Sequence, residues 1–176
     1  QTCALPISLA RERAGANAQL DAFYRELEAA FAGTRPSIAA GADADVRAMQ
    51  KTLAALGEGV VAIHYAVADH RLSLLLTTPA AQIARSVALD RRDLEQKLEF
   101  FRVALRNPAI SAEPMARELH KLLIAPLAED LKQAQARTLM LALDGSLRYI
   151  PFAALHDGSG YLIERYDIAL YTDEIG

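Results

Sequence analysis

The chain has 176 residues, of which 52% are hydrophobic and 23% charged, enough material for one sizeable core. A net charge of -3 argues against a nucleic-acid partner held by a dominant basic face. No apolar run approaches the roughly 18 residues of a membrane span, and the basic-then-apolar order of a secretory leader is missing, so a soluble, cytoplasmic protein with no membrane partner is expected.

The single cysteine, Cys3, permits no disulfide within the chain and no cysteine-based metal site. It sits in Gln-Thr-Cys-Ala-Leu-Pro-Ile, the translation of a common sequencing adapter. We therefore leave residues 1–7 out of fold reasoning, as one would a tag; the alternative is a genuine disordered tail. If Ile175-Gly176 likewise begins a reverse adapter, the chain is a gene fragment cut at both ends, and Cys3 is then no candidate nucleophile.

From Leu9 to Phe31 the pattern is helical, with Leu20, Phe23, Leu27 and Phe31 on one stripe, and Gly33-Thr34-Arg35-Pro36 as a stop. The segment reads either as the last helix of a repeat array or as an amphipathic helix packed on the next domain. No period of about 34 residues is visible in it, which favours the second. A second helix is predicted from Asp43 to Leu56, capped by Asp43 or Asp45, with Val46, Met49, Leu53 and Leu56 buried and Gly57 and Gly59 releasing the chain. Val60 to Val67 and Leu72 to Thr78 read as strands of an antiparallel hairpin turning at residues 68–71, and Gln82 to Leu89 as a third strand. Together they would form an antiparallel extension at one edge of the main sheet. A helix is predicted over Asp90 to Arg106, capped by Asp90 or Asp93, with Leu94, Leu98, Phe101 and Leu105 inward, ended by Asn107-Pro108. Another runs from Ser111 to Ile124, with Met115, Leu119, Leu122 and Leu123 inward. Pro126 should interrupt it rather than end it, because Leu127 and Leu131 continue the apolar spacing.

The most informative stretch is Thr138 to Thr172. Leu139 to Leu143 has the length of a buried strand; Asp144-Gly145 breaks it with a turn. Leu147, Ile150 and Phe152 return to the core around Pro151, which forbids a regular central strand there. Asp157-Gly158-Ser159-Gly160 is a second turn, and Tyr161 to Tyr171 ends in a further strand. Strand, Asp-Gly-x-Leu, x-x-Ile-Pro-Phe-x-x-Leu, a polar turn, Tyr-Leu-Ile-Glu and a strand closing on Tyr resembles the opening of the CHAT domain. This is a caspase-like cysteine peptidase domain found with tetratricopeptide repeats. The likeness is specific over about 35 residues and looser back to Val60; Leu119 to Leu127 resembles the family's approach to its first core strand.

The resemblance implies an α/β fold, the start of an αβα sandwich with a mainly parallel sheet. It divides the chain into a tail (1–8), a helical segment that could end a repeat region (9–57) and the N-terminal part of a CHAT domain (58–176). It places the catalytic His and Cys beyond Gly176, at the C-terminal ends of the central strands. It implies a protein substrate or partner, recruited through upstream helical repeats, and no cofactor or metal. The alternative is a caspase-like scaffold without activity, since fold alone does not establish chemistry.

The residues present were weighed for chemistry on their own terms. His64 alternates with Ile63 and Tyr65 on a strand and reads as structural; His70 lies in a turn; His120 sits at a packing boundary on a helix. His156 follows Phe152-Ala153-Ala154-Leu155 in a turn, away from the place the family keeps its histidine. Gly158-Ser159-Gly160 has the wrong spacing for a nucleophile elbow. Asp144 and Asp157 each precede Gly, as turn-forming aspartates do, and Glu113 and Glu118 read as solvated. Ile150-Pro151-Phe152 reads as a loop anchor, with cleft-shaping the sharper alternative. No residue within 1–176 is assigned a catalytic, cofactor-binding or metal-binding role.

Overall fold

Two residues, Asp69 and His70, separate the apolar runs at 60 and 72, and the chain reverses there into a tight antiparallel pair. This is seen in a computed structural model that describes residues 42–171. The expectations for Cys3, for the stripe Leu20 to Phe31 and for the last residues therefore lie outside the described residues. Strands β1 (Val60–Ala68), β2 (Arg71–Thr77) and β3 (Gln82–Ala88) form a meander with both pairings antiparallel. β4 (Thr138–Ala142) then adds parallel to β1, and β5 (Asp167–Leu170) parallel to β4, giving the order β3-β2-β1-β4-β5. The antiparallel extension, the parallel core and the adjacency of the two late strands all agree with the sequence reading.

The register gives the sheet two unlike faces. Side chains alternate along a strand, so Val61, Ile63 and Tyr65 share one face with Leu72, Leu74, Leu76, Leu139 and Leu141. Against this face pack α2 (Arg91–Arg106), α3 (Glu113–Leu123) and α4 (Ala128–Gln133), which bury Leu94, Leu98, Phe101, Leu119, Leu123 and Leu131. The other face carries smaller side chains, including Ala62, Ser73 and Ala142, and receives Leu53 of α1 (Ala42–Leu56) beside Val60 and Ala62.

Helix ends are where the expected burial departs from the observed one. Leu56 is 55% exposed because it lies in the last turn of α1, next to Gly57, whose φ of +126° turns the chain away. Leu105 is 42% exposed at the end of α2, and Ala104 takes the inward place. Asp43 and Asp45 fall inside α1, which begins at Ala42, so neither holds the cap position. Asp90 does cap α2: its side chain accepts from the Arg92 N–H at 2.8 Å.

Pro126 interrupts the helix as its missing N–H requires. α3 ends at Leu123, a 3-10 turn spans Ala125–Leu127, and α4 follows, with Leu127 and Leu131 still buried. α4 ends at Gln133, and two residues on, Gln135, with a φ of +49°, takes the left-handed conformation that follows a helix C-terminus. The Ala136 N–H reaches back to the Leu131 carbonyl at 2.9 Å and completes that cap. Between β4 and β5 the described chain has no α-helix, only short 3-10 turns at Gly145–Tyr149, Phe152–Ala154 and Leu162–Glu164. Leu147, Ile150, Phe152, Leu155 and Leu162 pin this segment to the core.

Candidate functional site at the carboxyl edge of the sheet

Because β1, β4 and β5 are parallel, their C-terminal ends emerge on one side, where α/β folds place their ligands. The residues at the strand ends are held by side chains. The Val67 N–H donates to Asp144 Oδ2 at 3.2 Å, and the Val67 carbonyl accepts from Arg91 Nη2. Arg91 Nε stands 3.3 Å from Asp69 Oδ1, close enough for ion pairing but without hydrogen-bond geometry. Arg148 Nε donates to the Leu143 carbonyl at 2.7 Å. Both guanidiniums thus bind carbonyls at the strand ends, and Asp144 Oδ2 holds the loop after β4 against β1.

On the small-residue face, the Tyr171 hydroxyl meets His64 Nε2, with the two rings edge to face at 5.4 Å between centroids. Tyr171 is fixed by its own N–H, which donates to the Leu141 carbonyl at 3.1 Å. The contact joins β1 to the end of β5 across β4. The residue of β4 paired with His64 is Ala142, whose methyl leaves room for the phenol. His64 therefore sits at the edge, engaged with tyrosine rather than poised beside a nucleophile.

The other sequence candidates are dispersed. His70 is solvated, with its side chain 86% exposed and Nδ1 3.5 Å from Asp90 Oδ2. His156 is held in its turn: Nδ1 accepts from the Gly158 N–H at 2.9 Å and the ring packs edge-on to Tyr161. His120 is half-buried on α3, and burial holds its pKa below the ordinary value. Asp157 opposes that shift, while Arg165 and His156 reinforce it. Asp157 is a turn aspartate, accepting from the N–H groups of Ser159 and Gly160 and from the Ser159 hydroxyl, with Arg165 2.8 Å away. Those bonds, Ser159's first, hold its carboxyl well below the usual carboxylate range. Ser159 is thus committed to Asp157, to which its hydroxyl donates, and accepts from Arg165.

Asp144 and Asp157 are not brought together. Asp144 stands at the carboxyl edge, whereas Asp157 neighbours Ala136 and Tyr166, which precede β4 and β5. Glu113 lies 3.4 Å from Arg117, and Glu118 accepts from Lys97 at 2.7 Å; both are solvated, as expected, and also paired. Phe152 is buried against Tyr65 with 5.5 Å between ring centroids, so Ile150-Pro151-Phe152 anchors the loop. Sequence reasoning passed over Arg91, Arg148 and Tyr171 because their partners are carbonyls or a residue 107 positions away.

From α3, through the broken helix and β4, to the parallel return of β5, the order is the one read from the sequence motifs. Residues 113–174 match the CHAT domain. The match covers the N-terminal part of that domain and contains β4, β5 and the segment joining them. The meander β1–β3 precedes the matched CHAT segment. No curated protein matches the chain. No described helix is long and apolar enough to cross a membrane.

Proposed function

We propose that this chain is the N-terminal part of a CHAT-type cysteine peptidase that cleaves a protein substrate with a His-Cys dyad supplied by residues beyond Gly176. The observation that carries this reading is the CHAT match over a segment whose two strands are parallel neighbours. In such a peptidase the thiolate attacks a peptide carbonyl, the imidazole takes and returns the proton, and backbone N–H groups hold the oxyanion. The role of residues 42–171 is to build the edge on which that chemistry is mounted. Arg91, Arg148 and Asp144 fix the ends of β1 and β4, and the Tyr171–His64 contact fixes the point where the chain leaves β5. A helical repeat region upstream would present the substrate protein.

The test is to clone the native locus past Gly176, express the longer product and treat it with a thiol-reactive peptide probe. Labelling of one cysteine, with proteolysis abolished by its replacement with alanine, is the expected result. Absence of a cysteine and a histidine near the ends of the following strands would overturn the peptidase reading in favour of a caspase-like scaffold.

A further inference from the structure

At the end of the sheet opposite the carboxyl edge, α3 and α4 stand apart from the segment 157–166 and leave a cleft of about 320 Å³. That volume is at the small end of ligand pockets. Its walls are Ile124, Leu131, Leu162 and Tyr166, and polar groups converge on them: His120, Lys132, Gln135, Asp157 and Arg165. Lys132 and Gln135 are exposed and His120 is half-buried, and their side chains make no hydrogen bond to the described residues, so a ligand would compete only with water for them. An apolar wall with a few polar groups beside it is the arrangement that binds a small molecule in a fixed orientation.

The charges decide what kind. Asp157 has spent its oxygens on Ser159, Gly160 and Arg165, so it offers little to a ligand. Lys132 keeps all its N–H donors, Arg165 keeps those outside its bonds from Nη2, and Gln135 adds an amide. Among the residues lining the cleft, Lys132, Arg165 and Asp157 leave one positive charge, which a monoanion neutralises and a dianion overshoots; Glu164, beside Gly160, is engaged with the Tyr161 N–H. We propose that this cleft binds a small carboxylate with an apolar body, its carboxylate held by Lys132, Arg165 and Gln135 and its body lying against Leu131, Leu162 and Tyr166. Free arylalkyl acids and the C-terminal residue of a peptide share this chemistry. The site is separate from the carboxyl edge and does not depend on the peptidase reading. Tyr166 immediately precedes β5, so an occupant would tie α4 to the start of that strand.

The test titrates the isotope-labelled 176-residue chain with 4-phenylbutyrate, with N-acetyl-Leu-Phe and with the C-terminal amide of that dipeptide, following amide and imidazole NMR shifts. The expected result is saturable shifts confined to 120–136 and 157–166 for the acids. Affinity should fall about tenfold or more for the dipeptide amide and in Lys132→Ala, the loss of one charge-assisted hydrogen bond. It should be unchanged in Lys51→Ala, on α1. Tighter binding of the dipeptide acid assigns the site to a chain terminus, and tighter binding of phenylbutyrate to a free acid. Equal response to acid and amide, shifts elsewhere, indifference to Lys132→Ala, or no shift at millimolar ligand would overturn the proposal.

Discussion

Tyr65 shows how much one polar atom decides. Its ring is buried on β1, and its hydroxyl donates to the Leu123 carbonyl at 2.8 Å, at the end of α3 where intrahelical partners run out. Burial pushes the phenol's pKa far above its ordinary value, so it stays a neutral donor throughout the accessible pH range. Tyr65→Phe keeps the ring and strands the carbonyl, and should cost about 1–2 kcal/mol in a urea melt. Asp157 gives the pH counterpart. Its folded pKa is depressed below the ordinary 3.8, so its stabilising contribution is present above that value and is lost as pH falls through it toward the folded pKa. The stability difference between wild type and Asp157→Asn should therefore be constant at neutral pH and shrink below about pH 4, as followed by thermal melts. At this scale the parity of His64 was legible, since strand alternation alone sets it against Ile63 and Tyr65. Its tyrosine was not, because nothing local specifies a contact made across another strand.

Elements were read well where one chain signal settles them. A two-residue turn, a proline without its N–H and an aspartate before a helix each act within a few residues, and the hairpin, the break at Pro126 and the Asp90 cap all appear. Leu56 and Leu105 were misassigned because helical periodicity fixes a direction but not whether a partner extends that far. The glycines before β1 and after β4 separate conformational from steric demand. Gly59 has φ +77°, and a Cβ there would meet the Gln135 carbonyl oxygen at 2.8 Å. The Gly59 carbonyl accepts from the Arg137 and Thr138 N–H groups, which sets β4 beside β1. Gly145, with φ +51°, has open space around it. Gly59→Ala should thus cost about 2–4 kcal/mol, the left-handed penalty plus overpacking, and Gly145→Ala only about 1–2 kcal/mol. Equal losses on denaturant titration would mean that the close approach to Gln135 does not matter.

At the scale of the sheet, β5 is an outer strand among the described residues, and Leu170 on it is 66% exposed. A strand edge with free N–H and C=O groups invites pairing with another chain. The 176-residue chain should accordingly self-associate as concentration rises in sedimentation velocity. Leu170→Lys should suppress this while changing stability by no more than about 0.5 kcal/mol. A monodisperse wild type at every concentration would rule this out. The layered α/β character and the parallel pairing of β4 with β5 were legible from the motifs between Thr138 and Thr172. The cleft beside His120 was not, because α3, α4 and the turn at Asp157 come together only when the intervening strand is in place.

The division of the sheet into a continuous meander and two late arrivals also has a kinetic meaning. β1, β2 and β3 close through two short turns, whereas β4 reaches β1 only after three helices have intervened. Local closure is fast and long-range parallel pairing slow. The refolding barrier should then lie at the docking of β4, with the hairpin turn at Asp69-His70 already native when it is crossed. Replacements in that turn would slow refolding, while replacements in β5 would mainly speed unfolding.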